Sequence, residues 1–146
     1  MKLKQRGALI IEYVIILPFM IFLIMTAVYL SIAFHDYNAL NEVAREAARL
    51  GVIGNKDEDI KNAAIARSSE LLTRLYAVEG TRVRRITKTK LNNEKYLEFN
   101  ISARKVPEHS VGLIDRTLPD TIGASVRMRV EVDPKDLPDN SYTPED

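Results

Sequence analysis

With 146 residues, 21 Lys plus Arg against 20 Asp plus Glu, and no cysteine, the chain has room for one small domain and no disulfide framework. Residues 35–146 carry 18 Lys plus Arg against 19 Asp plus Glu, a net −1 that gives no global attraction to nucleic acid, and the core of such a domain is modest.

The charge is unevenly placed. Lys2, Lys4 and Arg6 precede 22 consecutive residues, Tyr13 to Phe34, that carry no formal charge, and the first charge after them is Asp36. A helix of that length reaches ~33 Å at ~1.5 Å per residue, which matches a ~30 Å hydrocarbon core. The short basic flank predicts an N-terminus on the cytoplasmic side, with residues 35–146 across the membrane. Tyr13 and Tyr37 stand near the two ends, where amphipathic rings rest. A secretory signal would have a shorter apolar stretch and a small-residue cleavage site, whereas this one runs on into a helical pattern.

Residues 35–50 contain no Gly or Pro, and Leu40, Val43, Ala44, Ala47 and Leu50 recur at helical spacing. One helix is therefore expected from about residue 8 to about residue 50, apolar all round in its first half and amphipathic in its second, with Gly51 and Gly54 as its stop. Pro18 removes the hydrogen bond to the Val14 carbonyl, so a kink or loosening is expected there. Ala27 and Ser31 make a small-x-x-x-small pair, a spacing common by chance.

A second helix is predicted to start near Asp57 or Asp59, which would cap it, and to run to about Val78. Ile60, Ala64, Leu71, Leu75 and Val78 form its buried stripe, and Gly80 ends it. Three strands follow, at 81–91, 95–104 and 125–133. In the second, Leu97, Phe99, Ile101 and Ala103 alternate with polar residues; in the third, Val126, Met128, Val130 and Val132 do. Asn92-Asn93-Glu94 predicts a hairpin turn, and residues 107–123 a long connection. The tail 134–146, acidic and with three prolines, is expected to be loosely attached. The fold class is thus α+β: a long transmembrane-to-amphipathic helix, a second amphipathic helix and a small antiparallel sheet of about three strands.

No nucleophile elbow, phosphate loop or His-Glu-x-x-His pair occurs, so no catalytic residue, cofactor, metal or small-molecule substrate is assigned. His35 and His109 are read as solvent-facing. The run 55–59 lacks the glycine and the bidentate Glu of a calcium loop. Five basic residues, Arg82, Arg84, Arg85, Lys88 and Lys90, admit three readings: an anion patch, a solvated strand edge, or pairing with the acidic cluster Glu131, Asp133, Asp136 and Asp139 of a neighbour. The solvated edge is preferred, and no nucleic-acid partner is assigned.

Glu12 does not suit a plain anchor. An acidic side chain at the centre of a membrane helix costs ~2.5–3.5 kcal/mol, less near an interface, and usually has a partner. A cut between Gly7 and Ala8 would leave Glu12 one helical turn from a new α-amino group at the positive end of the helix dipole. In a bundle of such helices, Glu12 of one neutralises the amine of the next and rewards correct stagger.

The basic leader, Gly7, Ala8, three apolar residues and Glu12-Tyr13 resemble the processing and assembly signature of type IV pilin-like proteins. With Pro18 and the segment Asn41-Glu42-Val43-Ala44-Arg45-Glu46-Ala47-Ala48-Arg49, the chain resembles the TadE-like branch of tight-adherence pilus systems; the strand Ser125–Glu131 is similar to that branch's C-terminal strand. The resemblance implies a cytoplasmic leader 1–7 cut after Gly7 by a prepilin peptidase, a long helix over 8–52 with its span at about 13–34, and an extracytoplasmic domain over 53–133. Gly7 and Ala8 would be the processing residues; Glu12, Tyr13 and Pro18 would serve assembly. It further implies a non-enzymatic minor pilin or pseudopilin in the cytoplasmic membrane, whose partners are the peptidase and other pilins. The alternative is an uncleaved single-pass anchor presenting a binding domain.

Overall fold

A computed structural model of the chain describes residues 2–88, 94–109, 112, 116–130 and 143–145, with side chains over 13–86, 94–108 and 116–130. Helix α1 (Lys2–Val52) is a single helix of 51 residues, about 77 Å long at 1.5 Å per residue. It continues through Pro18 without interruption. One lost hydrogen bond is a small deficit in a helix this long.

Burial along α1 begins at Ala33. From there Ala33, Asp36, Ala39, Leu40, Val43, Ala44, Ala47 and Ala48 are covered. Alanine dominates this stripe because the sheet lies close against the helix. Gly51 is not the stop that the sequence implied. It is helical and buried, and Gly54, at φ 100°, makes the turn. An added Cβ on Gly51 would overlap Leu97 Cδ1 of the sheet, so its bareness serves contact between layers.

Helix α2 (Asp57–Leu71) packs beside α1 through Ile60, Ala64 and Ser68. Its N-cap is Lys56, with no side-chain cap; Asp57, Glu58 and Asp59 occupy the first turn, where their charge suits the helix dipole. The helix ends well before Val78. Asp36 of α1 accepts hydrogen bonds from the Thr73 backbone N–H (2.9 Å) and hydroxyl (2.6 Å), which draws the chain out of helical geometry. The β-formers Tyr76 and Val78 then open a strand, so Leu75 and Val78 belong to the connection and the sheet.

Strand β1 (Tyr76–Lys88) therefore starts five residues before the predicted 81, and Gly80 falls in it at a register shift between Val78 and Gly80. Strand β2 (Glu94–Lys105) pairs antiparallel with β1, and β3 (Thr121–Arg129) pairs antiparallel with β2. A short β4 (Thr143–Glu145) runs parallel to β1 at 86–88, giving the order β3-β2-β1-β4. The alternation in β2 holds: Leu97, Phe99, Ile101 and Ala103 face α1 with Ile122 and Ala124 of β3. Strand β3 begins four residues earlier than predicted, while Val130 lies past its end and is buried. A 3-10 turn at Pro107–His109 lies in the long connection. The turn residues Asn92 and Asn93, Val132, and most of the tail lie outside the described residues; of the tail, the pairing at 143–145 is seen.

Candidate functional site

From Tyr13 to Ile32 no residue of α1 is buried. Tyr13 is 69% exposed, Phe19 61%, Ile24 58% and Phe34 60%, an apolar surface on all sides of the helix. In water so much exposed apolar area is untenable, whereas in a bilayer it is the solvated state. Helix α1 is thus long and apolar enough to cross a membrane once. The one polar hydroxyl described at its centre, Thr26, donates to the Phe22 carbonyl at 2.8 Å and so needs no partner outside the helix.

The predicted processing and assembly residues fall on this helix. Gly7, Ala8 and Glu12 have helical backbone, with their side chains outside the described residues. Tyr13 and Pro18 lie on the exposed surface. Ala27 and Ser31 are also exposed and open to a neighbour. The five residues thus share one helix end, and the two whose side chains are described, Tyr13 and Pro18, are both exposed.

Where the span ends, Asp36 ties it to the domain. Its side chain is fully buried, yet it holds Thr73 through both carboxylate oxygens, and the His35 Nδ1 stands 3.4 Å away on the open side. The sequence marked Asp36 only as the first charge after the apolar run. Its place at i+3 from Ala33 and i−4 from Leu40, on the buried stripe, was the available signal.

The basic run on β1 separates into unlike residues. Arg82 and Arg84 are exposed, but Arg85 is 4% exposed. Its guanidinium bonds Asp57 Oδ1 through Nε (3.0 Å) and Nη2 (2.8 Å), and the Asn55 carbonyl through Nη2 (3.0 Å). Arg85 faces Leu97 in register, on the side of the sheet toward the helices. Expecting all five as a solvated edge was therefore wrong for Arg85, because strand parity turns it inward to clamp the start of α2. The side chains of Lys88 and Lys90, and the acidic cluster at 131–139, lie outside the described residues.

The outer sheet face carries paired charges. Glu98 accepts from Asn100 Nδ2 (3.1 Å) and from Arg127 Nη2 (3.0 Å), and these two, Asn100 foremost, hold its carboxyl below the usual range. Tyr96 donates to Glu94 at 2.7 Å, which raises its phenol, and Arg129 closes on the same carboxylate at 3.1 Å. Among the described residues no group of His, Cys, Asp and Glu is arranged to hold a metal ion.

Against known families, the model described as TadE-like protein matches residues 7–49. The match begins at Gly7, ends three residues short of the end of α1, and carries Gly7, Ala8, Glu12, Tyr13, Pro18 and the segment 41–49, while the basic residues before Gly7 and the strand Ser125–Glu131 lie outside it. No curated protein and no solved structure matches the chain.

Proposed function

We propose that this chain, TadE-like over residues 7–49, is a minor pilin or pseudopilin of a tight-adherence pilus, held in the cytoplasmic membrane by α1 until its leader is removed. The observation that carries this reading is a coincidence. The matched segment holds both the run of α1 from Tyr13 to Ile32, in which no residue is buried, and the stripe from Ala33 to Ala48 that fixes the helix to the domain core, and it takes in nothing beyond α1. A helix exposed over its first half and fixed over its second suits lateral packing with like helices while its domain faces outward.

In this reading a prepilin peptidase cuts after Gly7 and makes Ala8 the first residue of the mature protein. The scissile bond lies in helical backbone, so it must unwind to enter an active site. Glycine lowers the cost of that unwinding by about 1 kcal/mol relative to alanine. The new amine at Ala8 then meets Glu12 of an adjacent helix, and Tyr13 and Pro18 shape the same contact.

The test is expression of the full chain with and without a prepilin peptidase, followed by mass spectrometry of the N-terminus. Ala8 as the first residue, only when the peptidase is present, is the expected result. An intact leader in its presence sinks the processing step and leaves an uncleaved anchor displaying the domain. Glu12→Leu should insert in the membrane normally and fail to co-assemble with partner pilins.

A further inference from the structure

The uncharged run of α1 ends at Phe34, yet the domain reaches below that level. Ala33 is buried, and Tyr29 and Ile32 are partly buried against the core. At 1.5 Å per residue Tyr29 lies about 7 Å on the membrane side of Phe34. Beside these residues is an apolar groove of about 280 Å³ lined by Leu30, Ala33, Phe34, Tyr37, Pro119 and Ile122.

Its far wall is held firmly. Tyr76 donates its hydroxyl to the Pro119 carbonyl at 2.8 Å, and the Lys105 backbone N–H donates to the Asp120 carbonyl at 2.9 Å. The Lys105 ammonium adds an ion pair to Asp120 at 3.0 Å. The groove is therefore a preformed feature. From Leu30 to Tyr37 it covers about 10 Å along the helix axis, from within the hydrocarbon edge to the headgroup layer. The hydrogen bonds from Thr73 hold the exposed Arg74, the next residue, near the level of Asp36, the first charge after the apolar run.

From this placement we infer that the sheet end at Pro119 and Ile122 is a foot seated in the membrane interface, with a lipid acyl chain of the adjoining leaflet filling the groove. The argument for lipid is continuity: half of the lining belongs to the apolar run itself, so a bilayer that solvates Leu30 and Phe34 meets Pro119 at the same depth. A domain standing clear of the membrane would leave this surface in water. The inference rests on α1 crossing the bilayer.

The chain contains neither Trp nor Cys, so single reporters are unambiguous. In vesicles of phosphatidylcholine with brominated acyl chains, full-length Phe34→Trp and Pro119→Trp should lose fluorescence to a similar extent. Glu58→Trp, at the membrane-distal start of α2, should lose none. Quenching of Phe34→Trp without quenching of Pro119→Trp overturns the foot and leaves the span intact. Absence of quenching at Phe34→Trp removes the span itself, and the foot with it. A smaller substitution guards against misfolding: Pro119→Cys in the same vesicles should react more slowly with a membrane-impermeant maleimide than Glu58→Cys. Equal rates refute the foot, as does protection lost on dilution with excess lipid, which would mean a second copy fills the groove.

Discussion

Replacing Gly51 by alanine sets two effects of known sign against each other. In an exposed helix the change gains about 1 kcal/mol, since glycine loses more backbone entropy on folding. Here the new methyl would overlap Leu97 Cδ1, stand 3.0 Å from Leu97 Cδ2 and 3.1 Å from Ile60 Cδ1. Leu97 and Ile60 are both fully buried and have no solvent to move into. Overpacking of this kind costs about 1–3 kcal/mol, so a net loss of about 1 kcal/mol is expected. The measurement is a denaturant titration of the full chain in detergent, followed by circular dichroism. Leu97→Ala alone should cost about 2–5 kcal/mol, and less by about 1 kcal/mol in the Gly51→Ala background, where the methyl fills part of the cavity. Stabilisation by Gly51→Ala, or additivity of the two changes, would refute the close approach of α1 to β2 and restore Gly51 as a simple terminator.

Three further outcomes are expected. Arg85→Ala should destabilise the domain by about 3 kcal/mol, the low end for a buried pair because half-exposed Asp57 still reaches water, while Arg84→Ala stays within about 0.5 kcal/mol. Thr73→Val removes a hydroxyl bond to a buried carboxylate and should cost about 1.5–3 kcal/mol; with Asp36→Asn already present, the same change should cost less. Glu98, with its folded-state value lowered from 4.5, stabilises the fold above that pH and ceases to as pH falls through the folded value. Asn100→Ala should therefore shift the acid-induced loss of stability toward pH 4.5, and an unchanged acid limb on a pH series would discount this hydrogen bond.

The parts of the fold legible in the sequence were those with a strong period. The α1 stripe from Leu40 to Ala47 and the alternation from Leu97 to Ala103 each bury one regular face, and both appear as read. The errors lie where a distant residue decides. Within residues 72–80 the β-formers Tyr76 and Val78 are the only local hint that α2 is over, and the carboxylate that holds Thr73 comes from Asp36, 37 positions earlier. Arg85 was taken with its basic neighbours because composition ignores strand parity, which separates it from Arg84 by a full face. The assembly and processing residues were read through family resemblance, and the match over 7–49 supports that resemblance while leaving the roles of Gly7, Ala8 and Glu12 to experiment.

Residues 33–51 are at once the upper half of α1 and one wall of the domain core, with no hinge between membrane and sheet. Span and domain therefore move like a key and its bow. With about 3.6 residues per turn, choosing a contact face centred one residue further along the helix swings that face by about 100°. The outer sheet face, with Glu98 and Arg127, swings with it. Whichever side of the spanning helix a neighbour grips thus fixes the compass bearing of the domain, so a choice made among lipid tails becomes a choice of which way the sheet face points.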